Sequence, residues 1–228
     1  MPIQYENVVP WGRSFDEYVR MFSLNNADLS KNILGCGDGP ADFNRHLFEA
    51  GGRCVSVDPI YAFSKAQIQE RIDDTFHHVI AQTRANTHRF IWDHIKSVTA
   101  LGEIRMSAMQ RFLTDYDKGK TEHRYVEAEL PSLPFADDAF DLALSSHFLF
   151  LYSEHLSLDF HNASILEMLR VAPEIRIFPL VDLNAIQSSH LLSVLTFLQR
   201  EGFNTRIQRV DYEFQKGGNE QLIVSRST

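Results

Sequence analysis

The feature that most constrains this chain is a short apolar strand running into a glycine-rich loop. Residues 32–36 read NILGC, and glycines stand at positions 35, 37 and 39. Glycine lets a backbone turn sharply and approach a ligand closely because it has no Cβ. A second apolar stretch, residues 54–57, ends in Asp58. Because a carboxylate at that point can accept hydrogen bonds from both ribose hydroxyls, the pattern predicts a nucleoside pocket at the carboxyl edge of a parallel sheet.

The spacing of the glycines separates the classes of nucleoside ligand. A dinucleotide-binding loop reads G-x-G-x-x-G/A. Counted from Gly35, the third small position falls on Pro40; counted from Gly37, it falls on Asp42. Neither register fits, and no Lys-Ser/Thr pair follows, so a phosphate-binding P-loop is excluded. The G-x-G-x-G spacing therefore favours a nucleoside that is not a dinucleotide.

A second motif follows farther along the chain, where residues 129–141 read ELPSLPFADDAFD just before an apolar run. Together with the glycine loop and Asp58, this stretch resembles the class I S-adenosylmethionine-dependent methyltransferases. Their first motif reads apolar-apolar-acidic-x-G-x-G, their second strand ends in an acidic residue, and an L-P-F stretch precedes their fourth strand. This chain departs from that pattern at Gly35, which stands where the family usually has Asp or Glu.

The resemblance implies a Rossmann-like, doubly wound α/β fold. We expect a mostly parallel seven-stranded sheet, an antiparallel C-terminal hairpin and a helical insertion between strands two and three. The resemblance also implies S-adenosylmethionine as cofactor. Asp58 would bind the ribose, Glu129 the adenine, and Arg13 the donor's carboxylate. The full expected donor set is Arg13, Gly35, Cys36, Gly37, Asp38, Gly39, Asp58, Pro59, Glu129, Leu130, Ser145 and Ser146.

Local signals place the remaining elements along the chain. Ser14 and Glu17 form a capping box that opens a first helix, and Pro40 suits the first turn of a helix that stops at residues 51–52. The predicted strands cover residues 32–35, 53–57, 124–128, 141–145, 175–180, 205–214 and 221–225. A further helix is expected over residues 188–201, ending at Gly202.

The long link between strands two and three predicts two amphipathic helices. Ser64 caps the first, which carries apolar residues at spacings of three and four, and the second covers residues 98–116 and ends at Gly119. We expect both helices to lie over the carboxyl edge as a cap, residues 59–123, while residues 1–30 form an N-terminal helical cover of one domain, residues 1–228. A packing ornament or a dimer face remains the alternative for the insertion, and the oligomeric state stays open.

The segment after strand four, residues 145–155, carries the candidate catalytic groups. Methyl transfer from a sulfonium needs alignment, and a base only where the acceptor must lose a proton. His147 is the first candidate base, and Tyr152 and His155 follow. No N/D-P-P-Y/F motif occurs, which disfavours methylation of amino groups on nucleic-acid bases. No metal is predicted, since the spacings of His147, His155 and His161 do not share a helix face.

The composition of the chain limits the kinds of partner and the compartment that are expected. The net charge of −8 and the lack of a basic run argue against nucleic acid, so a small-molecule acceptor is expected. No stretch reaches membrane-spanning length and residues 1–13 hold no signal-peptide core, so we expect a cytoplasmic protein with no membrane partner. With only two cysteines, a structural disulfide is not expected. Two other functions stay open: a protein that binds S-adenosylmethionine without methyl transfer, and an NAD-dependent oxidoreductase.

Overall fold

The computed structural model describes residues 9–226. The first eight residues of the predicted N-terminal cover therefore lie outside the described part of the chain. The strands are β1 Asn32–Cys36, β2 Arg53–Val57, β3 Tyr125–Val126, β4 Leu142–Ser146, β5 Glu174–Phe178, β6 Asn204–Arg209 and β7 Glu220–Ser225. They form one seven-stranded sheet in the order β3-β2-β1-β4-β5-β7-β6. β1 to β5 pair in parallel, while β7 runs antiparallel to both β5 and β6. The predicted fold class is confirmed.

The helices are α1 Phe15–Met21, α2 Asn26–Leu29, α3 Phe43–Glu49, α4 Lys65–Ala85, α5 Val98–Thr121, α6 Leu158–Val171 and α7 Leu191–Arg200. The predicted capping box of Ser14 and Glu17 opens α1, and a second box of Ser64 and Gln67 opens α4. Each box satisfies two backbone N–H groups that a helix start leaves unpaired. The sequence pattern did not predict the short α2 or the longer α6, although Ser157 accepts from Phe160 N–H at the start of α6.

Two local predictions are wrong because tertiary contacts override them. Pro40 is not in a helix: the loop continues to Asp42, whose backbone N–H donates to Arg13 O at 3.0 Å. Gly119 does not end α5, which continues to Thr121. A Cβ at Gly119 would lie 2.4 Å from the Tyr125 ring, so this glycine allows close packing of α5 on β3. β6 also ends earlier than predicted, at Arg209.

Both faces of the sheet are buried, as expected where helices cover a parallel sheet. Leu34 and Ala143 belong to a core shared with α6 and α7. Their neighbours Ile33 and Leu142 face the opposite side and pack with α1 and α3. All five residues of β4 are buried. Among residues 9–226, the apolar stretches within helices fall short of what a membrane crossing requires.

The two insertion helices take different places. α4 starts just after β2, and the segment that follows it is joined to loops at the far side of the sheet. Arg89 Nη1 donates to Asn184 Oδ1 at 2.6 Å, and Ile91 N–H donates to Phe214 O at 2.7 Å. With a rise of 1.5 Å per residue, α4 is about 31 Å long. Four strand spacings amount to roughly 19 Å, so α4 is long enough to cross the carboxyl edge.

α5 runs back alongside α4 and is held to the helices of one sheet face. Arg105 pairs with Glu17 on α1, and Arg111 pairs with Asp42 at the start of α3. The two helices of the expected cap, residues 59–123, therefore have different neighbours. The physical reason is that α5 buries its apolar side against α4 and β3, around Phe112.

Candidate functional site

A cavity of about 720 Å³ lies between α4 and the carboxyl edge of β1, β2 and β4. This volume lies within the range of small-molecule sites. The strand ends and their loops line it with Gly37, Asp38, Gly39, Val57, Asp58, Pro59, Ile60, Ala128, Glu129, Leu130, Ser146, His147 and Phe148. α4 and the turn before it add Phe63, Gln67, Ile68, Glu70 and Arg71. The N-terminal segment adds Val9, Pro10, Trp11, Arg13 and Tyr18, and Leu156 and Phe160 complete the wall.

The glycine loop takes a shape that other residues resist. Gly37 has φ +69° and Gly39 has φ +54°, in the left-handed region that disfavours side chains. Gly37 N–H donates to Val57 O at 2.9 Å, which ties the loop to the end of β2. A Cβ at Gly37 would lie 3.0 Å from the Phe148 ring. The loop therefore packs closely against Phe148, just after β4, and its glycines line the cavity without placing side chains in it.

Asp58 lies where the sequence predicted a ribose carboxylate. Its Oδ2 accepts from Gly39 N–H and its Oδ1 from Ile60 N–H, both at 2.9 Å. Burial raises the pKa of Asp58 to about 6, although both backbone bonds act in the opposite direction. Each carboxylate oxygen can accept a further bond. The backbone therefore fixes this carboxylate in place while it retains capacity for two hydroxyl donors.

Asp38 is the second carboxylate on the cavity wall, and unlike the half-buried Asp58 it is buried, at 7% exposed. Its Oδ1 accepts from Tyr18 OH at 2.8 Å, and its Oδ2 accepts from Ser56 Oγ at 2.6 Å. Burial raises the pKa of Asp38 to about 6, and the charge of Asp58 adds to the effect. Within residues 9–226, neither carboxylate forms an ion pair with a basic side chain. This side of the cavity is therefore suited to a ligand that brings hydroxyls and a positive charge.

Arg13 gives the cavity a basic end. Its Nη1 donates to Trp11 O at 2.6 Å, while its Nε is buried without a hydrogen-bond partner. Burial lowers the pKa of Arg13 to about 10, and the nearby charge of Arg105 lowers it further. The guanidinium stays charged at neutral pH. A buried guanidinium with an unused donor is suited to an anionic ligand group.

His147 lies on the wall beside Arg13 and follows β4 directly. Its backbone has φ +54°, and its N–H donates to Phe178 O at 2.6 Å. Its Nδ1 lies 2.9 Å from Ser146 Oγ. Burial lowers the pKa of His147 well below its usual value, and the charges of Arg13 and Arg105 lower it further. The imidazole is therefore neutral at neutral pH, which is the protonation state a base must start from.

The other two candidate bases lie outside the cavity lining. The hydroxyl oxygen of Tyr152 accepts from Val9 N–H at 3.3 Å, and its ring is buried beside Leu151 and Leu183. His155 is exposed. The chain turns away from the cavity here because residues 150–152 form a short 3₁₀ helix. His161 is also occupied, since both of its ring nitrogens lie within hydrogen-bond distance of backbone carbonyls.

Most residues of the expected donor-binding set line the cavity, and three of them do not. Arg13, Gly37, Asp38, Gly39, Asp58, Pro59, Glu129, Leu130 and Ser146 line the cavity. Gly35, Cys36 and Ser145 do not, because they lie within strands whose two faces are covered. The two cysteine thiols, at positions 36 and 54, are free and buried. In the described part of the chain, no three His, Cys, Asp or Glu side chains are grouped to hold a metal ion.

Sequence reasoning missed how Tyr18 and Ser56 contribute. Both hold Asp38, yet Tyr18 carried only the signal of an apolar helix face, and Ser56 that of a polar residue inside a strand. Phe148 lies in the segment 145–155 that was expected to line the site, whereas Phe160 was not predicted as a cavity residue. For Phe160, the missed helix α6 is the cause, because that helix carries it to the wall.

The fold and the site together define a doubly wound α/β protein with a ligand cavity at the carboxyl edge of its sheet. No family model matches the chain. An uncharacterized protein of Methanocaldococcus jannaschii, MJ0045, is 35% identical over 98% of this chain and 99% of its own length. The chain belongs to the same protein family as this archaeal protein.

Several solved structures resemble this chain at low sequence identity. Magnesium protoporphyrin IX methyltransferase from Synechocystis PCC 6803, solved with bound SAM, is 12% identical, with a TM-score of 0.49 over 93% of this chain and 78% of its own. The PH0226 protein from Pyrococcus horikoshii is 11% identical, with a TM-score of 0.49 over 93% and 91%. A SAM-dependent methyltransferase from Aquifex aeolicus is 13% identical, with a TM-score of 0.44 over 92% and 87%.

Proposed function

We propose that this chain is an S-adenosylmethionine-dependent methyltransferase that acts on a small molecule. The observation that carries the proposal is the arrangement of charge in the cavity. Two carboxylates that form no ion pair within residues 9–226, the buried Asp38 and the half-buried Asp58, line the cavity together with the guanidinium of Arg13. S-adenosylmethionine carries ribose hydroxyls and an amino-acid tail with both charges. Its chemical groups therefore match what this cavity offers.

The residues present suit such a donor from end to end. Asp58 can accept from the two ribose hydroxyls, since the backbone already holds its orientation. Glu129 and Leu130 lie on the wall where the adenine is expected. The unpartnered Nε of Arg13 can donate to the carboxylate of the tail. The donor supplies an activated methyl group, and the chain supplies alignment and shelter from water.

α4 is the reason to expect a small acceptor. It lines the cavity with Gln67, Ile68 and Arg71, on the side opposite the strand ends. The segment that follows its C-terminus is hydrogen-bonded to Asn184 through Arg89. A large acceptor would need this helix to move aside. The aromatic rings of Trp11, Phe148 and Phe160 also line the wall and offer apolar surface to a small molecule. The acidic chain offers no basic stripe for a nucleic acid.

His147 is the base that we propose for an acceptor that must lose a proton. Its low pKa keeps it neutral but weakens it as a base. A ligand carboxylate at Arg13 would offset part of the guanidinium charge, and the pKa of His147 would rise toward the working range. Loss of a general base typically costs about 10²–10⁴-fold in rate. His147→Ala should therefore lower turnover on a hydroxyl acceptor and leave donor affinity nearly unchanged.

Isothermal titration calorimetry with S-adenosylmethionine, S-adenosylhomocysteine and NAD⁺ tests the proposal. We expect both sulfur nucleosides to bind and NAD⁺ to fail. Asp58→Ala should weaken binding by about 1.5–3 kcal/mol, the range for hydrogen bonds to a charged group. Asp182→Ala is the matched control, because Asp182 also accepts two backbone N–H groups in a loop but lies outside the cavity lining.

Two outcomes would contradict the proposal. Binding of NAD⁺ alone would favour an oxidoreductase, and unchanged affinity in Asp58→Ala would remove the ribose assignment. A second assay then tests for turnover by measuring release of S-adenosylhomocysteine with a panel of small hydroxyl, amine and thiol acceptors. Tight binding of donor without release on any acceptor would favour a binding protein.

A further inference from the structure

The carboxylate of Asp38 occupies the space that a side chain at position 35 would fill. A Cβ built on Gly35 would lie 1.8 Å from Asp38 Oδ2 and 2.7 Å from Asp38 Oδ1. Both distances are far below van der Waals contact. Glycine at position 35 and aspartate at position 38 therefore depend on each other. Any side chain at position 35 would displace the Asp38 carboxylate, which the loop places over the strand.

Three elements hold the Asp38 carboxylate in that space. Tyr18 reaches it from α1, and Ser56 reaches it from β2, where it is the register partner of Gly35. Both contacts are neutral hydroxyl donors, so the negative charge itself has no partner within residues 9–226. A buried carboxylate of this kind gains from a cation that arrives with a ligand.

Asp38 and Arg13 line the same cavity. Tyr18, whose hydroxyl donates to Asp38, lines it as well. An α-amino acid carries its ammonium and carboxylate on the same carbon, so a donor bound in this cavity can offer its ammonium to Asp38 and its carboxylate to Arg13.

We propose that Asp38 provides, from the loop, the acidic group that the resembling motif carries on its strand at position 35, and that it positions the ammonium of the donor's amino-acid tail. The proposal rests on the proposed function. It goes further by assigning the tail to Asp38 and Arg13 and by explaining Gly35. The acidic group of the motif is then not lost in this chain. It is supplied by Asp38 in the loop, while glycine takes the usual place of that group at position 35.

A role in holding the loop is the competing explanation, and two ligands separate it from ligand binding. S-adenosylhomocysteine carries the amino-acid tail, and 5′-methylthioadenosine lacks it while keeping the nucleoside. Asp38→Asn retains the size of the side chain and removes the charge. We expect it to weaken S-adenosylhomocysteine by about 10- to 100-fold, as for a lost bond to a charged group, and 5′-methylthioadenosine by less than about twofold.

The exchange of positions is tested by three further variants measured by the same calorimetry. Asp38→Gly should lose the tail-specific affinity, and Gly35→Asp should lose it too because two side chains would compete for one space. The double variant Gly35→Asp/Asp38→Gly should recover at least tenfold over Asp38→Gly, since it returns one carboxylate to the same space. Circular dichroism of each variant checks the fold, and Asp38→Asn decides the assignment if a glycine variant does not fold.

The outcomes separate this proposal from the proposed function. If the wild-type chain binds neither ligand, the proposed function fails and the assignment of Asp38 fails with it. If the wild-type chain binds both and Asp38→Asn weakens both equally, Asp38 only holds the loop. If Asp38→Asn weakens neither, the ammonium is bound elsewhere. In these last two cases the proposed function stands and the role of Asp38 is overturned.

Discussion

The buried ion pair between Arg105 and Glu17 joins the insertion to the N-terminal helix beside the cavity. Arg105 Nη1 lies 2.5 Å from Glu17 Oε2, and the residues are 1% and 7% exposed. Tyr212 OH donates to Glu17 Oε1 at 2.8 Å, and Ser14 N–H donates to Oε2 at 3.0 Å. The carboxylate is thus bonded from α5, from the capping box of α1 and from the chain that follows β6. We predict that Arg105→Met destabilises the fold strongly.

The size of the expected loss of unfolding free energy follows from the pKa of Glu17 and from the burial of the ion pair. Burial alone would raise the pKa of Glu17, but the charge and hydrogen bond of Arg105 dominate and lower it from 4.5 to about 2. At 1.36 kcal/mol per pKa unit, the pairing contributes about 3 kcal/mol above pH 4.5, and this contribution is lost as the pH falls toward 2. Removing one partner of a buried pair costs about 3–5 kcal/mol, because the other charge remains buried and unpaired.

Urea denaturation of the wild-type chain and of Arg105→Met at several pH values measures the loss of unfolding free energy and the direction in which that loss changes with pH. We expect the variant to lose about 3–5 kcal/mol of unfolding free energy at pH 7. Without Arg105, burial raises the pKa of Glu17, so the variant's deficit should shrink as the pH falls and Glu17 takes up a proton. The double variant Glu17→Gln/Arg105→Met should recover part of the loss, since no charge is left unpaired.

Glu49→Gln is the control, because it removes an exposed ion pair with Arg45 on one helix. Glu49 is 56% exposed at its side chain, and such pairs contribute about 0.3–0.5 kcal/mol. A loss below about 1 kcal/mol in Arg105→Met, or a deficit that does not change with pH, would refute the reasoning. In that case the contact between α1 and α5 would depend on apolar packing rather than on the ion pair.

Three further predictions concern the cavity wall. Asp38→Asn should stabilise the ligand-free protein by up to about 3 kcal/mol at pH 8 in urea denaturation and by almost nothing at pH 4, because burial raises the folded pKa of Asp38 from 3.8 to about 6. Gly37→Ala should cost at least about 1–2 kcal/mol in thermal denaturation, since φ is +69° and Phe148 is close; Gly51→Ala, with φ +86° and open space, is the control and should cost less. In an NMR titration, the His147 ring should stay neutral well below pH 6.5; a midpoint near 6.5 would contradict its burial.

Features that depend on neighbouring residues could be predicted from the sequence pattern alone. β2 has the predicted bounds, the predicted capping box at Ser14 forms, and Ser64 caps α4 as predicted. The glycine loop after β1 and Asp58 after β2 meet at one edge of the sheet because the two strands are parallel neighbours. A strand, a tight turn and a cap are each fixed by contacts within a few residues, so a local pattern is enough to predict them.

The set of side chains that share the cavity results from the packing of the complete fold. The Asp38 carboxylate is held over Gly35 by Tyr18 and Ser56, which are distant in the chain, and the segment after α4 is joined to the far side of the sheet by the bond from Arg89 to Asn184. The same holds for Tyr152 and His155, which lie outside the cavity although His147 lines it. Contacts of this kind join residues that no local spacing relates. They form only when the sheet and helices have packed, and for that reason the sequence pattern could not predict them.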